Sequence, residues 1–294
     1  MAAERGMSAQ LPRGAREMLE RPRFELVPVK GADAEIDHLP AGAHVAVTCS
    51  PTRGIDNTLA LSERLQDRGF AAIPHISARL VEDEGRAERI VRRVIDGGIG
   101  DLFVIGGDVE RPAGPFASAL SLLTVIRALG YQGAIGIAAY PEAHPLIGAD
   151  EVWRALCDKE PFATYIVSQI CFDPVRIVAW LGEVRRRGID LPLWVGFPGV
   201  VERNKLMRVA LRIGVGASTR FLTKHGNLVT RLVRRGGYNP NELVQGLAPH
   251  VMDCGLKVAG YHINTFNQVA PTERWRKGSL DAVPGPSDSS AARS

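Results

Sequence analysis

Glu25 and Asp108 are the two acids whose settings suggest chemistry. Glu25 lies in Arg23-Phe24-Glu25-Leu26-Val27-Pro28-Val29, an otherwise apolar stretch, and Asp108 closes Leu102-Phe103-Val104-Ile105-Gly106-Gly107-Asp108. A carboxyl among apolar neighbours keeps its proton toward neutrality and serves as a general acid, so a raised pKa is expected for Glu25. The glycine pair lets the chain turn as the second run ends, and Asp108 beyond it is expected to stay ionised and able to stabilise a cation. Two carboxylates held in opposite protonation states suit an acid-plus-electrostatic mechanism. Each also has an ordinary explanation: an ion pair with Arg or Lys for Glu25, a cap on the next helix or turn for Asp108.

Such side chains meet only if the fold brings strand ends together. Short apolar runs recur at 23–29, 44–50, 71–77, 101–107, 134–141, 164–170, 192–198 and 260–266, eight in all. Runs this short between turn signals read as buried strands. Most intervals carry helical periodicity. Leu59, Leu61 and Leu65 share a face in 56–69, Ile90, Val91, Val94 and Ile95 in 84–97, and Leu120, Leu123, Ile126 and Leu129 in 115–130. Asp173 and Pro174 read as N-cap and N1 of a helix over 174–188, and Asn239 and Pro240 repeat the pattern before 241–255. Helices are also expected over 202–214 and 218–235. Eight strands alternating with helices over about 250 residues predict a single (β/α)₈ TIM barrel over 23–267. An open doubly wound sheet is the competitor, but no G-x-G-x-x-G follows the first run. Residues 1–22 read as an extension, either a short helix or partly disordered. The Pro-, Ser- and Gly-rich segment 268–294 reads as a disordered tail.

A barrel collects the carboxyl ends of its strands into one site. Those ends carry Glu25, Thr48, His75, Asp108, Tyr140 with Glu142 and His144, Gln169, and Asn264 with Thr265. By spacing alone this supports a small-molecule enzyme and nothing finer.

The composition, with 45% hydrophobic and 23% charged residues among 294, is that of an ordinary globular protein. A net charge of +4, spread along the chain, argues against a nucleic-acid partner. The four cysteines form no C-x-x-C pair or zinc spacing, so reduced thiols, no metal and a cytoplasmic location are expected. No apolar leader and no run of about 18 apolar residues is present, so neither secretion nor membrane insertion is expected.

At these residues the chain resembles the methylenetetrahydrofolate reductase family over about 24–267. The motifs are Phe24-Glu25-x-x-Pro28, Val45-x-Val47-Thr48, Pro74-His75, Gly107-Asp108, Ala138-Ala139-Tyr140-Pro141-Glu142-x-His144-Pro145, Ser168-Gln169-x-x-Phe172-Asp173 and Thr265-x-Asn267. The resemblance implies reduction of 5,10-methylenetetrahydrofolate to the 5-methyl form. It maps the general acid to Glu25, the aspartate that stabilises the iminium and holds the pterin to Asp108, and the pterin-contacting glutamine to Gln169. It also points to Thr48 and Asn267 for substrate and to His75, Tyr140, Glu142 and His144 for the nicotinamide cofactor.

Departures from the family pattern concern its FAD. Gly106 replaces the arginine before Gly-Asp, and Cys49-Ser50-Pro51 replaces Tyr-Gly-Ala. The helix that grips the flavin diphosphate is Lys/Arg-rich in the family; here it opens Ala149-Asp150-Glu151 and carries Asp158, with Glu160-Pro161-Phe162-Ala163 after it in place of Gly-Ala. Asp158 would repel a diphosphate. The expectation is a flavin-free branch, with hydride passing directly from NAD(P)H to folate and NADH favoured as donor. Alternatives are a conventional FAD enzyme using Arg154, Lys159 and loop amides, a non-catalytic folate-binding barrel, or one-carbon transfer to a corrinoid partner. Lys205, on the helix expected after Val195-Gly196-Phe197-Pro198-Gly199-Val200, reads as a solvated lysine or as a contact for a glutamate tail or a phosphate.

Overall fold

A computed structural model describes residues 11–142, 144, 146–202 and 240–281. The expected helices over 202–214 and 218–235, with Lys205 and Asn239, fall almost wholly outside the described residues.

Eight parallel strands close into a barrel in chain order: β1 (Arg23–Leu26), β2 (His44–Val47), β3 (Ala71–Ser77), β4 (Asp101–Ile105), β5 (Ala134–Ala139), β6 (Tyr165–Ser168), β7 (Leu193–Pro198) and β8 (Val258–Asn264). β8 pairs back onto β1, with Arg23 opposite His262 and Glu25 opposite Asn264. Helices α1 (Arg13–Glu20), α2 (Ala32–Ile36), α3 (Gly54–Asp67), α4 (Glu84–Asp96), α5 (Ala119–Ala128), α6 (Ala149–Lys159), α7 (Pro174–Arg186), α8 (Asn241–Leu247) and α9 (Val269–Asp281) accompany them. This is the single (β/α)₈ barrel expected from the alternation.

Period-2 alternation divides the strand side chains into two cores. Phe24, Leu26, Val45, Val47, Leu102 and Val104 point out against the helices, alongside Leu59, Leu65, Val94 and Leu123. Ala46, Ile73, Phe103, Tyr165 and Val167 point in, with Ile105, Ala138 and Trp194 packed on them. The inner space is filled by pairing large with absent side chains. A β-carbon on Gly136 would lie 2.2 Å from the Tyr165 ring, and one on Gly260 would lie 2.6 Å from Trp194.

The helices start where capping chemistry dictates. Asp173 accepts from the backbone N–H of Val175 (2.9 Å) and of Arg176 (3.3 Å), with Pro174 at N1. Asp83 caps α4 by accepting from Arg86 at 2.6 Å. Ile95, expected on the packed face of α4, is half exposed: the face is completed by Ala87, Ile90, Val91 and Val94.

The expected disordered tail over 268–294 is corrected over α9. One face of its polar residues is packed, not solvated: Thr272, Glu273, Arg276 and Ser279 are buried, while Arg274 and Lys277 face solvent. Arg276 donates to both Glu273 carboxylate oxygens (2.6 and 3.0 Å) and to the Leu19 carbonyl at 2.9 Å. It thereby neutralises a buried acid and satisfies a carbonyl in the last turn of α1. Residues 282–294 lie outside the described residues.

Candidate active site

Glu25 points into the barrel near its carboxyl end, and its partners come from the neighbouring strand and the next but one. His262 Nε2 lies 3.1 Å from Glu25 Oε2, Asn264 Nδ2 donates to Oε1 at 2.7 Å, and His75 Nε2 stands 3.9 Å from Oε2. The two histidines are buried and Glu25 is nearly so, with side-chain exposures of 7% for His75, 4% for His262 and 14% for Glu25. The ordinary alternative for Glu25, an ion pair with Arg or Lys, is not found among the described residues; histidines fill that place.

The expected raised pKa of Glu25 is also corrected. Burial is the largest influence and pushes it up, but the His262 hydrogen bond, the charges of His262 and His75, and Asn264 together hold the carboxyl below its ordinary value. The apolar neighbours Phe24 and Leu26 point away, into the outer core. His75, which stacks at 4.6 Å on Phe103, is pushed down to about 4, chiefly by burial.

Asp108 lies at the same end of the barrel, exposed on the loop after β4. It does not cap the next helix: Ser118 does, accepting from Ser121. Gly107 has φ +100°, and a β-carbon there would come within 2.0 Å of Ser77 Oγ, so only glycine fits. Arg79 braces the loop from both sides. Its N–H donates to Gly106 O (2.9 Å), its carbonyl accepts from Ala113 (2.9 Å), and its guanidinium donates to Val109 O (3.0 Å) and Ala117 O (2.9 Å). Glu25 is thus the deep group and Asp108 the rim group of one mouth.

Three other candidates continue the inward alternation one residue past their strands. Thr48 donates its N–H to Leu26 O at 2.9 Å, and Gln169 donates its N–H to Ala139 O at 2.7 Å, extending the ladders. The Gln169 side-chain carbonyl accepts from Ile170 N–H at 2.9 Å, which leaves its amide NH₂ as the group to donate outward. Tyr140 is half-buried and makes an edge contact with His144 at 4.8 Å. Burial first, and the Asp108 charge second, raise the Tyr140 pKa. His144 Nδ1 accepts from Leu146 N–H at 3.1 Å, so the neutral ring carries its proton on Nε2. Glu142 Oε1 accepts from the buried Cys171 thiol at 3.5 Å.

His75, expected at the nicotinamide cofactor, lies within the Glu25 array, 3.9 Å from its carboxylate. Asn267 spends its amide on the backbone: Oδ1 accepts from Val27 N–H (2.8 Å) and Nδ2 donates to Val27 O (2.9 Å), with Asn267 at φ 55°. Thr265 Oγ1 donates to Glu25 O at 2.6 Å. This turn therefore fixes where β1 leaves the barrel. The spacing of strand ends did not single out His262 or Arg79. For His262 the signal was present in Gly260-x-His262-x-Asn264, which places both polar residues of β8 on the inward parity.

The opening of α6 is acidic, with Asp150 and Glu151 in its first turn, and that charge disfavours a diphosphate there. Lys159 turns inward, 3.5 Å from the Ala138 carbonyl, and burial pulls its pKa down to about 8. All four cysteines are free thiols, and no described helix is long and apolar enough to cross a membrane.

The family model described as methylenetetrahydrofolate reductase matches residues 36–221. Methylenetetrahydrofolate reductase 2 of Saccharomyces cerevisiae is 27% identical over 184 residues, 58% of this chain and 30% of the yeast protein. Methylenetetrahydrofolate reductase 1 of Schizosaccharomyces pombe is 32% identical over 90 residues, 30% of this chain and 15% of that protein. The matches thus span less than a third of either relative's length. Among solved structures, 2,3-dimethylmalate lyase, a PEP mutase/isocitrate lyase superfamily member, superposes with a TM-score of 0.48 at 10% identity, over 95% of this chain and 92% of the other. Likeness at that distance bears on neither chemistry nor ligand. The family match includes Asp108 and Gln169 but not Glu25, His262 or Asn264, whose roles rest on geometry.

Proposed function

This chain belongs to the methylenetetrahydrofolate reductase family, and from that premise we propose that its barrel reduces 5,10-methylenetetrahydrofolate to 5-methyltetrahydrofolate at the expense of NAD(P)H. The observation that carries the reading is the placement of a deep, hydrogen-bonded carboxyl and a rim carboxylate at one mouth. Opening the five-membered ring requires a proton on the departing nitrogen, and Glu25 is the group placed to give it. The C–N bond then breaks with its electron pair on that nitrogen, leaving a cationic N5 iminium. Asp108, on its braced loop, supplies the opposing charge. The outward NH₂ of Gln169 and the hydroxyl of Thr48 are the substrate contacts, and Tyr140, Glu142 and His144 line the nicotinamide side.

A nicotinamide supplies the hydride directly, with NADH the favoured donor. The support is the acidic first turn of α6 and the inward turn of Lys159, which leave exposed Arg154 as that helix's outward cation and so favour a flavin-free site. Holding two reactants in contact supplies several kcal/mol of the barrier on its own. The test is anaerobic NADH oxidation on addition of methylenetetrahydrofolate, using protein whose visible spectrum has been recorded. Turnover without isoalloxazine absorbance is expected. A stoichiometric flavin band overturns the flavin-free reading, and folate binding without NADH oxidation overturns the enzyme.

A further inference from the structure

The Glu25 array raises a question of charge. A buried carboxylate needs a compensating positive charge or its own proton. Among the described residues Glu25 forms no ion pair with Lys or Arg; its ion-pair partners are His262 and His75. The array as a whole therefore holds a proton. His75 is the poorer keeper, at 3.9 Å with its Nε2 buried and unpartnered. His262 is in hydrogen-bond contact at 3.1 Å, on the strand whose register sets Asn264 opposite Glu25. Asn264 Nδ2 holds the other carboxylate oxygen at 2.7 Å and fixes which oxygen faces the imidazole.

We infer that His262 is the proton reservoir of the site: it holds the proton that Glu25 passes to substrate. The inference rests on the reductase reading only for the identity of the acceptor nitrogen. In the resting pair, imidazolium faces carboxylate. The Nε2–H bond breaks as an O–H bond forms on Oε2, leaving His262 neutral with its proton on Nδ1. The O–H bond then breaks as an N–H bond forms on the leaving nitrogen, whose C–N electrons it receives. Carboxylate is regenerated, and one solvent proton returns the imidazole to imidazolium. No oxidation or reduction occurs in these steps. His262 is a positioning and proton-holding residue that acts through Glu25. The titratable groups facing the pair are His75 from β3, Glu25 itself from β1 and His262 from β8.

His262→Gln keeps an N–H donor toward Oε2 but cannot carry the extra proton. The full-length variant is expected to lose about 10–100-fold in kcat, part of the usual contribution of a general acid, with KM for folate little changed. Its rate should also fall away at a pH at least about one unit lower than in the parent, because Glu25 must then keep the proton alone. A second readout does not need turnover. Imidazole ¹⁵N shifts should show His262 protonated at neutral pH in the parent and neutral in Glu25→Gln. A uniform rate drop with an unmoved pH profile, or a neutral His262 in the parent, overturns the inference. Should the parent fail to reduce folate at all while His262 is protonated, the reductase reading falls and the reservoir stands.

Discussion

Strand β1 carries one buried charge into each half of the barrel, and the two halves treat it differently. In the lower layer Arg23 meets a fixed opposite charge, Asp101, at 3.0 Å, and its guanidinium lies 4.1 Å from the ring centroids of both Tyr165 and Trp194. Tyr165 donates to Asp101 at 2.8 Å, which closes the set. Two residues on, Glu25 meets histidines and an amide. There His75 Nε2, His262 Nδ1 and Asn264 Oδ1 are buried without a hydrogen-bond partner; in the lower set only Arg23 Nε is. Arginine and aspartate in a closed set have no proton to give near neutrality. Glutamate with histidine has. The lower layer is built to hold shape, and the upper to change protonation while holding position.

The largest effect that would sharpen this contrast is on rate. Glu25→Gln should lower kcat by about 10²–10⁴-fold while leaving the thermal midpoint close to that of the parent. Activity that survives this change removes Glu25 from the mechanism. Arg23→Met should do the reverse, destabilising the fold by about 3–5 kcal/mol because Asp101 is left buried and unpaired. The double change Arg23→Met with Asp101→Leu should recover most of that loss in denaturant titrations, and the folded fraction should turn over normally. A rate defect without a stability defect in Arg23→Met would break the comparison.

Stability against pH separates the layers next. His75 is held near 4 in the fold against an ordinary value near 6.5, so the unfolded chain takes up a proton first as pH falls. Its contribution is present above about pH 6.5 and is lost progressively down to about pH 4, on the order of 3 kcal/mol in all. Glu25 is held low, so its own contribution is lost only at lower pH. His75→Gln should flatten the stability curve between those limits; an unchanged slope contradicts the burial of a neutral imidazole. The smallest effect concerns the rim. Arg79→Gln removes two charge-assisted hydrogen bonds from the Asp108 loop and should lower kcat/KM by about tenfold with a stability loss of about 1.5–3 kcal/mol. Equal kinetics in that variant would show that the loop holds Asp108 without the guanidinium.

Much of this was legible in the chain. Eight apolar runs alternating with helical periodicity specify the barrel, and Asp173-Pro174 marks a helix start to the residue. Glu25 and Asp108 stand out because acids at strand ends interrupt apolar patterns. Chain neighbours misdescribe the environment of Glu25 for a definite reason: residues adjacent in a strand face opposite ways, so Phe24 and Leu26 describe the outer core, while Asn264, 239 positions later, describes the inner one. Strand register supplies that information, and composition does not. α9 was hidden likewise, since Glu273 and Arg276 look solvated until α1 is seen to lie over them. Asn267 was legible as a motif residue, but not as the clasp on Val27.

The direct route of the hydride is tested most simply with nicotinamide deuterated at both C4 positions, in ordinary water and without oxygen. Direct transfer predicts one deuterium in the methyl group of the product for each dinucleotide oxidised. A methyl group carrying solvent hydrogen instead would mean that the hydride paused on an exchangeable carrier such as a flavin, and would contradict the account.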